Sequence, residues 1–159
     1  MLIILLGESC VGKSTLENKL TELSEVNSVE IYTIREHRGV EDNSISLTPH
    51  GFGVKAPLFD FVFESNEETL YGYKFPNTKH CVVSIISGDV AISLKELYSG
   101  DTHIIKLIAD PKDIYRCLKN RGYDDERIKL RQNIKSEVEN QLHIHRDDAY
   151  SYIKGLLWK

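Results

Sequence analysis

The chain is poor in several residue types, and each shortage excludes something. Among its 159 residues there are only three cysteines, Cys10, Cys81 and Cys117. An odd number so widely spaced predicts reduced thiols, not a disulfide framework or a zinc site. Prolines number four and glycines ten, with no low-complexity run, so collagen-like and disordered chains are excluded. Cations are outnumbered: 20 Lys and Arg against 24 Asp and Glu leave a net charge of -4. Without a basic excess or stripe, a nucleic-acid partner is not expected, and any anion must be held locally. Long apolar runs are missing too. The opening "MLIILL" has no cationic segment before it and falls far below the roughly 20 residues of a spanning helix. It reads as a buried strand, with no membrane partner and a cytoplasmic location expected. His143 and His145 alternate without a cysteine or carboxylate at ligand spacing, so a sheet or surface role is expected for both.

What is present describes a folded domain. With 41% hydrophobic and 28% charged residues, the chain can bury a core, and its length predicts a single domain. "LIILL" is a continuous apolar strand, and Lys13 to Leu23 follows with leucines at helical spacing. "SVEIYTI", Ser28 to Ile34, alternates as one strand. From Arg35 to Asn77 the pattern weakens: "VEDNSISLTPHGFG" reads as loop, and "LFDFVF" and "TLYGYKF" as short strands around a turn. Regularity returns with the strand "CVVSII", a helix from Asp89 to Tyr98 and the strand "THIIKLIA". "ADPKDIYRCLKNRG" predicts a helix capped by Asp110, with Pro111 at its first position and Gly122 just past its end. "YDDERIKLRQNIKSEVENQL" starts as loop and continues as a partly exposed helix; a strand at Leu142 to His145 and a helix at Asp147 to Leu157 follow. Alternating strands and helices imply a parallel sheet covered on both faces, with ligands at the carboxyl ends of its strands.

One motif carries chemistry. Gly7 to Ser14, "GESCVGKS", fits G-x-x-x-x-G-K-[ST] between an expected strand and an expected helix. Gly7 and Gly12 let the backbone wrap so that N–H groups of Glu8, Ser9, Cys10 and Val11 can face phosphate oxygens, and the helix adds its positive end. Lys13 brings a mobile charge to the β- and γ-phosphates, Ser14 is placed to ligate Mg²⁺, and Thr15 adds a second hydroxyl. Cys10, near a helix start and a lysine, is placed to favour thiolate. Neither N-K-x-D nor D-x-x-G occurs, and the chain is short for a motor, so a small kinase remains. Phosphoryl transfer between two anions also needs further cations. Arg35 and Arg38 follow the second strand, while Arg121, Arg127 and Arg131 cluster before the long helix.

At these residues the chain resembles the guanylate kinase family of nucleoside monophosphate kinases. "YTIREHRGVE" resembles the family's "TTRxxRxGE", with Thr33, Arg35 and Arg38 matching and Glu41 displaced by one; "TLYG" resembles "NxYG" and gives Tyr71 and Gly72. "RGYDDERIKLRQNIKSEVE" resembles "RGTDxExxIxxRxxxAxxE", giving Arg121 and Arg131 at a spacing one residue shorter, and "HIHRDD" resembles "VIVNDD" with Arg146 for the asparagine. The family's "LDID" aspartates become Ser84 and Ile86, its arginine four residues before Arg121 becomes Cys117, and its guanine-reading glutamate falls near Asp60 or Glu64. The resemblance implies an α/β, three-layer P-loop NTPase fold with a central parallel sheet of about five strands. It implies a core at 1–34 and 78–159, an acceptor-binding insertion at about 35–77 and a lid at about 121–131. It also implies ATP and Mg²⁺ as cofactors and a nucleoside or deoxynucleoside monophosphate as acceptor, GMP or dGMP favoured. Thr33, Arg35, Arg38, Asp60, Glu64, Tyr71 and Ser84 would bind that acceptor, while Lys13, Arg121 and Arg131 would serve catalysis. Two alternatives are a nucleotide-binding or interaction module without turnover and a kinase of a phosphorylated sugar.

Overall fold

The structure is a computed structural model that describes residues 1–36, 43–65, 68–132, 138–139 and 141–158, the side chains of Arg131 and Gln132 excepted. In chain order the elements are β1 (Leu2–Leu6), α1 (Lys13–Thr21), β2 (Val26–Ser28), β3 (Glu30–Thr33), β4 (Ser44–Ser46), α2 (Pro49–Lys55) and a 3₁₀ turn at Ala56–Leu58. Then come β5 (Phe61–Glu64), β6 (Leu70–Lys74), β7 (His80–Ile85), α3 (Gly88–Leu97), β8 (Thr102–Ile108), α4 (Pro111–Asn120), α5 (Asp125–Gln132), β9 (Leu142–His145) and α6 (Arg146–Leu157).

β1 has no polar side chain and all five of its residues are fully buried, which suits only the middle of a sheet covered on both faces. It lies at the centre of a parallel five-stranded sheet in the order β2-β7-β1-β8-β9. Period-two alternation sorts the strand side chains into two cores. Ile3, Leu5, Val82, Ile105 and Leu107 pack under Leu16 and Leu20 of α1, Ile114 and Leu118 of α4, Ile128 of α5 and Ile153 of α6. Leu2, Ile4, Leu6, Val83 and Ile85 pack on the opposite face against Val90, Ala91 and Leu94 of α3, together with Val29 and Tyr73. The expected α/β fold with a central parallel sheet of five strands is what the chain adopts.

A second sheet, β4-β3-β6-β5, is mixed: β3 and β5 pair antiparallel with β6, and β4 pairs parallel with β3. Its existence corrects the expectation of one strand over Ser28 to Ile34. Ser28 pairs with Val82 of β7, whereas Glu30 pairs with Lys74 of β6. Between them buried Val29 donates its N–H to Val82 O at 2.9 Å. An uninterrupted two-residue alternation cannot register a strand that changes partners without losing its pleat. The stretch read as loop also contains β4 and α2. Helix α2 is capped by Thr48, whose Oγ1 accepts the Gly51 N–H at 3.0 Å, and is held down by buried Phe52. The start of α4 is as expected: Asp110 Oδ1 accepts the Lys112 N–H at 2.8 Å and Pro111 opens the helix.

Candidate functional site

The loop between β1 and α1 is shaped by its glycines. A Cβ on Gly7, at φ 149°, would lie 3.0 Å from Leu107 O and 3.1 Å from Val11 Cγ1. Gly12 caps α1 at φ 103°, a left-handed value that other side chains resist. Val11 is buried in the core, so the loop turns back over the end of its own strand. The place is the carboxyl end of β1, where β7 lies on one side and β8 on the other and the connections diverge.

Lys13 is 8% exposed, and its Nζ donates to Gly7 O at 2.8 Å and Glu8 O at 2.7 Å, which lays the ammonium group across the loop. Ser9 is buried, Glu8 and Ser14 are half-buried and Thr15 is exposed. No acidic residue occupies the first turn of α1, so nothing there offsets the positive end of the helix. Main-chain amides, a helix terminus and an ammonium group in one turn can hold an anion.

The cysteine expectation is corrected here. Cys10, itself at a left-handed φ of 68°, forms a disulfide with Cys117 of α4, 107 positions away, with the Cα atoms 5.9 Å apart. Chain distance had suggested isolation, but the fold lays α4 against the loop. Cys81 remains a free, buried thiol, and burial pushes its pKa up.

The proposed acceptor residues lie mostly on the second sheet. Thr33 is fully buried, and its Oγ1 accepts the Arg35 N–H at 3.3 Å. Tyr71 stands opposite Thr33 across the β3–β6 pair. Arg35 Nη1 donates to Glu36 O at 3.0 Å and Nη2 to Ser44 Oγ at 3.3 Å, which aligns the guanidinium between β3 and β4. Arg38 and Glu41 lie outside the described residues. Asp60 and Glu64 bracket β5 and are both exposed; Asp60 Oδ2 accepts the Phe75 N–H at 2.7 Å, a structural use of that carboxylate. Arg121 is exposed at the end of α4, one turn beyond the disulfide cysteine, and Arg131 falls in the last turn of α5. Between them Arg127 stacks over the Tyr123 ring at 4.6 Å.

Two residues were given no role by the sequence. Arg146 opens α6 straight after β9, with its Cδ 3.7 Å from where a Gly12 Cβ would sit, and its Nη2 meets Asp113 Oδ2 at 2.7 Å. Its signal was a cation at the carboxyl end of a parallel strand. Glu17 is the other. On α1 it is 1% exposed, and although Ser84, Ser28 and Asn43 turn polar side chains toward its carboxyl, none stands at full hydrogen-bond geometry among the described residues. Ser84 Oγ on β7 is also buried; it lies beside the Glu17 carboxyl but, among the described residues, meets full hydrogen-bond geometry with none. Burial holds the Glu17 pKa above the usual carboxylate range; polar side chains of Ser84, Ser28 and Asn43 and the charge on Lys13 act against burial and are outweighed. A polar hollow lined by Lys95, His103, Glu139 and Gln141 lies elsewhere, at the amino ends of β8 and β9, away from the loop.

The arrangement has a solved counterpart. A crystal structure of guanylate kinase from Anaplasma phagocytophilum matches this chain with a TM-score of 0.62 at 14% identity, over 99% of this chain and 84% of that one. The chain shares the fold of that kinase. No protein-family model and no curated protein matches it by sequence. Among the described residues, no helix is long and apolar enough to cross a membrane.

Proposed function

We propose that the protein is an ATP-dependent nucleoside or deoxynucleoside monophosphate kinase, with GMP or dGMP as the favoured acceptor. The observation that carries this reading is the Gly7–Ser14 loop: glycine-shaped, at the carboxyl end of the central strand, with a buried lysine across it, in a fold shared with a guanylate kinase. In this reading residues 1–34 and 78–159 form the core, about 35–77 bind the acceptor and about 121–131 act as lid.

The loop amides from Gly7 to Gly12 hold the donor phosphates, with Thr15 beside them. Lys13 exchanges its two carbonyl partners for phosphate oxygens, a low-cost move because donor and acceptor types are conserved. Ser14 offers its hydroxyl to Mg²⁺, which when bound offsets charge on the donor phosphates. Thr33, Arg35, Arg38 and Tyr71 hold the acceptor phosphate, and Asp60 or Glu64 meets the base. Arg121 and Arg131 close on the donor. An acceptor phosphate oxygen attacks the γ-phosphorus in line, the bond to the β–γ bridging oxygen breaks and ADP leaves. No covalent protein intermediate is needed.

An ADP-release assay over GMP, dGMP, AMP, dTMP, dCMP and ribose phosphates tests the reading. Stimulation by a purine monophosphate above the others is expected. ADP release that no acceptor stimulates would defeat it.

A further inference from the structure

Glu17 places a carboxyl group beside a loop built for anions. Three residues after Ser14 and four after Lys13, it shares their face of α1. It lies in the interior with Ser84, Ser28 and Asn43 turning polar side chains toward it, yet among the described residues none of them meets full hydrogen-bond geometry with either carboxyl oxygen, and Ser84 Oγ has no better partner. A buried carboxyl without well-formed hydrogen bonds is costly, and a bound ion is one way a native structure satisfies such a group. The position narrows that partner's chemistry. A carboxylate one turn from bound phosphates repels them unless a cation stands between, so a cationic partner suits the place better than a sugar or a base.

The donor set points the same way. Ser14, Glu17 and Ser84 present only oxygen, the ligand type that Mg²⁺ prefers. Ser84 faces α1: it pairs with Leu5, and both lie on the sheet face that carries Val82. The carboxyl end of β7 carries no acidic residue, although in phosphate-loop enzymes the carboxylate for the metal usually comes from a strand. Among the described residues no three His, Cys, Asp or Glu side chains converge, so a cation here must share its shell with the nucleotide.

We infer that Glu17 supplies, from α1, the carboxylate that holds the nucleotide's divalent cation, directly or through its water, with Ser14 and Ser84 as neutral oxygen companions. This rests on the kinase reading above and assigns that site a residue outside its glycine-lysine motif.

The test uses the full chain with ADP and Mn²⁺ as a paramagnetic probe, read by electron paramagnetic resonance, with ADP affinity in EDTA measured separately by calorimetry. Glu17→Gln keeps size and removes the charge. It is expected to weaken Mn²⁺ binding to the ADP complex by about 10- to 100-fold while leaving metal-free ADP affinity unchanged. Glu17→Gln combined with Ser84→Asp returns a carboxylate to the same spot from the strand and is expected to recover much of the loss. If Glu17→Gln does not fold, Ser84→Ala is expected to weaken Mn²⁺ binding severalfold, and no change there overturns the proposal. Equal Mn²⁺ affinity in wild type and Glu17→Gln, with ADP bound by both, overturns the role of Glu17 and leaves the kinase reading standing. Failure of the wild type to bind ADP at all overturns that reading and this one with it.

Discussion

Gly72→Ala is a small change with a large expected effect. Gly72 sits in β6 between Tyr32 of β3 and Val62 of β5, and the ring of Phe59 lies flat over it. A Cβ built at Gly72 overlaps Cδ2 and Cε2 of that ring and comes within 2.8 Å of its Cγ. Backbone cannot yield on both sides of a paired strand, so the ring must move. Phe59 stacks on Tyr32 at 5.0 Å and packs against Phe52 at 5.1 Å. Overpacking costs about 1–3 kcal/mol, and each aromatic pair lost adds about 0.5–1.5 kcal/mol. A total of about 2–6 kcal/mol follows, which for a chain of this size lowers the melting temperature by roughly 4–24 °C. Thermal melts followed by circular dichroism measure it. The mechanism is checked by a cycle with Phe59→Ala: with the ring gone, the methyl at 72 enters free space and should cost less than about 0.5 kcal/mol. Penalties that simply add would show that the glycine is there for some other reason.

Three other outcomes are expected. The disulfide between Cys10 and Cys117 closes a loop of 107 positions, for which chain entropy gives about 4–5 kcal/mol; reduction or Cys117→Ser should lower the urea midpoint, and equal midpoints for reduced and oxidised protein would contradict the bond. His80 is buried with neither ring nitrogen hydrogen-bonded among the described residues, and burial lowers its pKa despite the Glu25 carboxylate 3.9 Å away. The unfolded imidazole takes its proton near pH 6.5 and the folded one only lower, so stability is full above that value and falls as pH drops through it. Urea midpoints between pH 8 and 5 should show this fall in wild type and a flatter profile in His80→Leu; parallel profiles would refute it. Arg35→Ala should raise KM for the acceptor and leave KM for ATP nearly unchanged, because its guanidinium lies on the second sheet between β3 and β4; equal losses for both substrates would mean the arginine serves the donor.

The parts of the fold that follow from local rules were readable in advance. β1 declared itself by five apolar residues in a row, the α1 loop by its glycines and lysine, and α4 by Asp110 and Pro111 acting at its first turn. What depended on distant partners was not readable. Val29 carries the chain from one sheet to another without breaking the alternation, and Gly51 and Gly53 disguised α2 until Thr48 and Phe52 were seen to hold it. Cys10 and Cys117 meet only because α4 packs across the loop. Nothing in the local sequence of Glu17, which stands among lysine and asparagine neighbours, announces its burial against Ser84 of β7, Ser28 of β2 and Asn43.

Transfer of the γ-phosphoryl group can be watched directly by phosphorus NMR in a mixture of ATP, Mg²⁺ and GMP. ADP and GDP are expected to appear together in equal amounts. Lys13→Ala should slow their appearance by at least about 10²-fold without lowering the melting temperature enough to explain the loss. ATP that stays intact beside every monophosphate, or a Lys13→Ala protein as fast as wild type, would contradict the claim that this loop positions a triphosphate for transfer.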